Sequence, residues 1–309
     1  MAYPIEQKFV VAVASSALFN LEESDRVFRE KGEEEYRRYQ REHERETLEQ
    51  GVAFPLIKRL LSINGEDKDD QPVEVVVLSR NDPDTGLRMF KSIEYYGLPI
   101  TRAAFVAGSN PFRYMEAFNA SLFLSANLED VNAALDMGFP AGRVFPTRFI
   151  DDEDGQELRI AFDFDGIIAD DSAESVFQQL GMKGFHDNER QKAEERLPEG
   201  PLYKFFSGVA RLQRREWEKK KDNPGYQPRI KLAIVTARNA PAHERVVLSL
   251  RNEDIRMDEA FFLGGIDKGR IMKVFRPHIF FDDQLSHIEG VASFFPSVHV
   301  PFGITNKKQ

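Results

Sequence analysis

The sequence predicts an α/β protein made of two tandem related halves, and three observations predict it. The first is a repeat: "VAVASSALFNLEESDRVF" (11–28) matches "IAFDFDGIIADDSAESVF" (160–177) in its apolar strand, its turn and its acidic helix start. At the same offset Gly32 faces Gly181, Leu48 faces Leu197 and Gly51 faces Gly200. The second is that more blocks recur in one order. "VVLSRNDP" (76–83) pairs with "IVTARNAP" (234–241), "AFVAG" (104–108) with "AFFLG" (260–264), and "FNASLFLSAN" (118–127) with "FRPHIFFDDQ" (275–284). The third is the shape of each block. An apolar, β-branched or aromatic run ends at a small or polar residue before a helix-like segment, the alternation of a parallel sheet with crossover helices.

The element boundaries follow from composition. Residues 1–148 form the first half and 156–304 the second, with the polar stretch "FIDDEDGQEL" (149–158) as linker. Within the second half, about 60 residues separate "DFDGI" from "IVTAR", too many for a simple βα connection, which predicts a small helical cap over about 170–228. Its segment "NERQKAEERL" (188–197) is polar and helix-prone, and "PLYKFFSGVARLQRREWEKKK" (201–221) carries apolar residues at helical spacing. The run Lys219, Lys220 and Lys221 reads as a solvated helix end.

Composition narrows the function. The chain has 309 residues, 41% hydrophobic and 30% charged, the profile of a soluble globular protein with one large or two medium domains. A net charge of -9 argues against broad binding to nucleic-acid polymers or anionic membranes, which rely on basic surfaces. With no cysteine there are no disulfides and no thiolate chemistry. No run of roughly 18 apolar residues occurs, so the expectation is a soluble cytoplasmic protein.

Chemistry concentrates in the second half. "IAFDFDGII" finishes a strand with Asp163 and Asp165, which extended geometry would turn to one side and crowd together. Thr236, Lys268 in "GGIDKGRI", and Asp282 and Asp283 in "HIFFDD" end the other strands, and ligands of open parallel sheets sit beyond those ends. Converging carboxylates need a cation, and oxygen ligands with open positions suit Mg²⁺. Lys268 and Thr236 then offer a charge and a hydroxyl to a phosphoryl group, Asp163 a nucleophile and Asp165 a proton shuttle. The first half has Ala14 and Ser16 opposite the first pair, Leu78 opposite Thr236, Ser125 and Ala126 opposite Asp282 and Asp283, and Pro111 and Phe112 near Lys268. One half is built for chemistry and the other for support or binding.

"DFDGI", "IVTAR", "GGIDKG" and "FFDD" resemble the four ordered motifs of the haloacid dehalogenase-like phosphatases. That resemblance implies a Rossmann-like core, Mg²⁺ and an aspartyl-phosphate intermediate. It implies Asp163 as nucleophile, Asp165 as acid/base with its carbonyl on the metal, Thr236 and Lys268 on the phosphate, and Asp282 as a ligand supported by Asp283. A closer resemblance covers nearly the whole chain. "EKGEEEYRRYQREHE", "LSRNDPDTGLRMFKSIEYYGLPITRAAF", "FNASLFLSANLEDV", "RPHIFFDDQLSH" and "HVPFGI" are similar to the cytosolic 5'-nucleotidase I family. This implies hydrolysis of nucleoside 5'-monophosphates, AMP especially, with ADP or ATP as effector. Animal members have Gly where Phe164 stands here, so base preference does not carry over.

Tyr203, Phe205 and Phe206 are candidates for stacking on a base, with the core of the cap as the alternative. Arg238, and Arg80 and Asn81 in "SRNDPDTG", are further substrate-binding candidates, Arg80 aligning with Arg238. For the first half, scaffolding or forming a homo-oligomer is the alternative to binding. The rival functions are a sugar-phosphate phosphatase or phosphotransferase and a nucleotide-binding regulator without turnover.

Overall fold

The computed structural model describes residues 3–65, 70–147, 151–152 and 155–306. The linker stretch lies partly outside them, at 149–150 and 153–154. The chain divides into two compact units, Met1–Val144 and Phe145–Gln309.

In the first unit the strands are β1 (Phe9–Val13), β2 (Val73–Ser79), β3 (Arg102–Phe105), β4 (Ala120–Ser125) and β5 (Ala141–Phe145). All pair in parallel, in the order β3-β2-β1-β4-β5. The helices are α1 (Ser15–Leu18), α2 (Glu22–Lys31), α3 (Glu33–Glu42), α4 (Phe54–Ser62), α5 (Leu87–Tyr95) and α6 (Leu128–Asp136). Strands β1, β2 and β4 are buried throughout, as expected of a parallel sheet covered on both faces. Val10, Ala12, Val76, Leu78 and Phe123 form one such face together with Val131 of α6.

In the second unit the strands are β6 (Leu158–Phe162), β7 (Ile230–Thr236), β8 (Glu259–Phe262), β9 (Ile279–Asp282) and β10 (Ser297–His299), parallel in the order β8-β7-β6-β9-β10. The helices are α7 (Ser172–Gln191), α8 (Tyr203–Asp222), α9 (His243–Asn252), α10 (Lys268–Phe275) and α11 (Leu285–Val291). Along β6 the side chains alternate between two faces, as period two requires. Ala161 joins Ala233, Met272 and Phe280, whereas Phe162 stacks on Phe281 at 5.2 Å and meets Phe206 edge-on at 5.3 Å.

That second contact limits the cap. Helix α8 packs on the sheet as the crossover from β6 to β7, because its apolar residues face Phe162 and Phe281. Within the expected cap segment, α7 is the helix that lines the site described below. It is two rods in one: Gly181 sits inside it at φ 65°, ψ -174°, where only glycine is relaxed. Gly32, between α2 and α3, has φ 83°, ψ -178°.

The strand register also corrects two alignments: Ser79 pairs with Phe105 and Thr236 with Phe262, so "AFVAG" stands one residue out against "AFFLG", and the block before it is shifted likewise. Val13 pairs with Val77 in the first unit and Phe162 with Ile234 in the second, so the counterpart of Thr236 is Ser79, two residues beyond, rather than Leu78. Arg238 accordingly corresponds to Asn81 rather than Arg80. The loops agree, since the Asn81 N–H donates to Ser79 Oγ and the Arg238 N–H to Thr236 Oγ1. A one-residue slip in the turn after the strand makes the "RN" strings match in sequence while the backbone does not.

Candidate active site

Strands β6 and β9 are where the order of the second sheet reverses, the place where parallel sheets open a crevice at their carboxyl ends. Pairing Phe162 with Phe281 carries the next residues, Asp163 and Asp282, to the same point, and the Asp163 N–H closes the pair on the Phe281 carbonyl at 2.8 Å. Lys268, at the start of α10, places Nζ 2.8 Å from Asp163 Oδ2 and 2.7 Å from Asp282 Oδ2. All three side chains are buried. The ammonium between them supplies the opposite charge that a strand ending in carboxylates needs.

The acids differ in how tightly they hold a proton. Burial, outweighing Lys268 and reinforced by Asp282, pushes Asp163 up to about 7. Burial also raises Asp282, but Lys268 and His287 prevail and hold its carboxyl below the ordinary value. Asp283 is pushed up to about 8 by burial and then by Asp163 and Asp282. Lys268 loses by burial but gains more from the two carboxylates, so it is held well above an ordinary lysine.

Strand β6 ends at Phe162, before both acids, so Asp163 and Asp165 do not share the extended strand that was expected to align them. Asp165 instead receives a bidentate pair from Arg238, Nε to Oδ2 and Nη2 to Oδ1, each 2.7 Å. Arg238 is buried, its guanidinium 5.5 Å from the ring centres of Phe164 and Phe185, and Nη1 bonds Glu189. Glu189 of α7, itself buried, also accepts from Arg245 Nη1 at 2.9 Å. Arg238 thus ties α7 to the acid, and Nη1 also donates to the Ala242 carbonyl at 3.4 Å. Gly166 turns the chain at φ 73° against Asp283, where a Cβ would lie 2.6 Å from the carboxyl carbon.

Asp163, Asp282 and His287 bring ligand atoms within 4.8 Å of one another, a group able to hold a metal ion. Asp283 adds a buried carboxylate oxygen, Oδ1, without a hydrogen-bond partner. An oxygen-rich donor set with an unspent buried oxygen suits a hard divalent cation. His287 went unread in the sequence, although it stands five residues after Asp282 in the quoted string "RPHIFFDDQLSH". Its Nδ1 lies 3.2 Å from each Asp282 oxygen.

A crevice of ≈ 260 Å³ opens beside this cluster, lined by Asp163, Asp165, Thr236, Glu174, Phe177 and Phe185 among others. Phe177 and Phe185 meet edge-on at 6.4 Å. The expected stackers lie elsewhere. Phe205 and Phe206 are fully buried against the sheet, and the Tyr203 hydroxyl bonds Glu253. Helical spacing describes a core helix and a lid helix equally well, so the sequence could not separate them. Arg80 and Asn81 stand in the first unit, Arg80 on Asp130 and Asn81 accepting from the Tyr36 hydroxyl.

A parallel α/β unit with carboxylates, a lysine and a hydroxyl at its switch point defines the class of proteins that take small anionic ligands there. The chain belongs to the 5'-nucleotidase family, whose description matches residues 1–307. It is 32% identical over 286 residues to human "Cytosolic 5'-nucleotidase 1B", covering 91% of this chain and 46% of that protein. The chain therefore spans about half the length of this curated relative. No solved structure matches it. Among the described residues, no helix is long and apolar enough to cross a membrane.

Proposed function

We propose that the chain is a cytoplasmic, Mg²⁺-dependent 5'-nucleotidase that hydrolyses nucleoside 5'-monophosphates, with AMP favoured. The observation that carries this reading is the convergence of Asp163, Asp282 and Lys268 at the β6–β9 switch point of a chain belonging to this family. We read the two units as related haloacid dehalogenase-like halves, of which the second is catalytic, with α7 as its lid.

Asp163 attacks phosphorus through a carboxylate oxygen, the P–O5' bond breaks, and protonated Asp165 gives its proton to the leaving oxygen. Water then attacks the aspartyl-phosphate, yields a proton to Asp165 and releases inorganic phosphate. Arg238 positions Asp165 and leaves its fork when the lid moves. Thr236 and Lys268 hold phosphoryl oxygens, Lys268 turning from Asp282 to the phosphate. Asp163, the Asp165 carbonyl, Asp282 and Asp283 would hold Mg²⁺, which would neutralise charge there when bound. Phe177 and Phe185, rather than Tyr203, Phe205 and Phe206, flank the base.

The test is phosphate release from AMP, IMP, pyrimidine monophosphates and sugar phosphates, with and without Mg²⁺ and with and without ADP or ATP. Mg²⁺-dependent release that is fastest with AMP is expected. Equal release from sugar phosphates, or transfer to an added alcohol in place of water, would overturn the nucleotidase reading.

A further inference from the structure

The first unit has its own crevice, of ≈ 520 Å³, lined from α2, α3 and the loops after β2, β3 and β4. Those are the elements that correspond to the walls of the crevice at Asp163. The correspondence extends to residues. Phe28 stands where Phe177 does, Tyr36 where Phe185 does, and the pair meets edge-on at 5.7 Å, as Phe177 and Phe185 do at 6.4 Å. Asp25 corresponds to Glu174 and Asn127 to Gln284, and each lines its own crevice.

The two crevices part company at the strand-end residues. Asp163, Asp165 and Thr236 line the second; Ala14, Ser16 and Ser79, their counterparts, do not line the first. Among the described residues, no group able to hold a metal falls in the first unit. The first crevice therefore has the aromatic pair and lacks the strand-end acids and hydroxyl.

Charge agrees with shape. Three arginines, Arg29, Arg37 and Arg80, line the crevice beside three acids, Asp25, Glu33 and Asp82. Arg37 pairs with Asp82 and Arg80 with Asp130. A lining so balanced gives no net pull on a phosphate. Phe28 is half exposed and is the ring free to stack.

We propose that this crevice is a second ligand site that binds the nucleoside moiety, base against Phe28, with no need for metal or phosphate. This rests on reading Phe177 and Phe185 as the base-binding wall of the nucleotidase site. The volume falls within the roughly 300–1,000 Å³ of small-molecule pockets.

The test is calorimetric titration of the full chain with adenosine in EDTA, with AMP and ribose 5-phosphate as further arms. Two adenosine sites per chain are expected. Phe28→Ala should weaken one of them on the order of tenfold or more, and Phe28→Trp should keep it. Phe177→Ala should weaken the other. In the Phe177→Ala chain, AMP should bind as adenosine does and ribose 5-phosphate should not bind. One adenosine site that is insensitive to Phe28→Ala overturns the proposal, as does binding of ribose 5-phosphate in preference to adenosine. Phosphate release from AMP, assayed on the same wild-type chain, separates the two readings. Turnover with a single adenosine site that Phe28→Ala leaves unchanged sinks this site alone, and two sites without turnover sink the nucleotidase reading alone.

Discussion

The two units have the same parallel strand order and carry different residues at the strand ends. In the first, Ala14 N–H bonds the Leu124 carbonyl at 2.8 Å; in the second, Asp163 N–H bonds the Phe281 carbonyl at the same distance. Arg88 donates to the Glu46 carbonyl at 3.0 Å as Arg245 does to that of Glu195. What changes is the charge placed on that frame. Gln40 meets Arg88 where Glu189 meets both Arg245 and Arg238. Backbone pairing is indifferent to side chains at strand ends, so a parallel sheet can lose its reactive groups without loss of fold.

The comparison breaks most sharply at the nucleophile. Asp163→Asn is expected to reduce phosphate release from AMP to background, and Asp165→Asn to slow it by roughly 10²–10⁴-fold. Their counterpart change, Ser16→Ala, should leave the rate untouched. A first-unit change that abolished turnover while the chain stayed folded would undo the division of labour.

Next in size is the buried carboxylate. Glu189→Gln removes the anion between two buried arginines and should cost about 3–5 kcal/mol in chemical denaturation. Gln40→Glu places the anion beside one arginine and should change stability less. Equal effects would mean that the arginine pair is immaterial.

The smallest effect concerns pH. Asp163 and Asp283 are raised to about 7 and about 8 in the folded chain. The folded form thus keeps protons that the unfolded chain releases near pH 4, so metal-free stability falls as pH rises from about 4 to about 8. Melting in EDTA across that window should show the fall, and Asp283→Asn should flatten part of it. Mg²⁺ should stabilise most at the alkaline end, where the acids are ready to ionise.

The parallel α/β architecture was legible because buried strands are written as continuous apolar runs such as "VEVVVLS" and "KLAIVT". Asp163 and Asp282 were legible as strand-end residues, and β6–β9 pairing brings them together; Lys268, read as a strand end, stands instead at the start of α10, six residues beyond β8. Other features depend on contacts that spacing does not encode. Nothing in "NERQ" says that Glu189 reaches Arg238, 49 residues on. The apolar face of α8 has the same period whether it covers a sheet or a ligand. Lys268 read as a phosphate group's partner, yet in the folded chain its ammonium first serves the two carboxylates.

The bend in α7 has a chiral consequence. At Gly181, as at Gly32, no atom beyond the adjoining residues and local helix backbone lies within 4 Å of where a Cβ would stand, so the positive φ is what disfavours an L side chain there. A D-alanine introduced at either position by chemical synthesis should be accommodated, where its mirror image would pull the two rods toward a straight line.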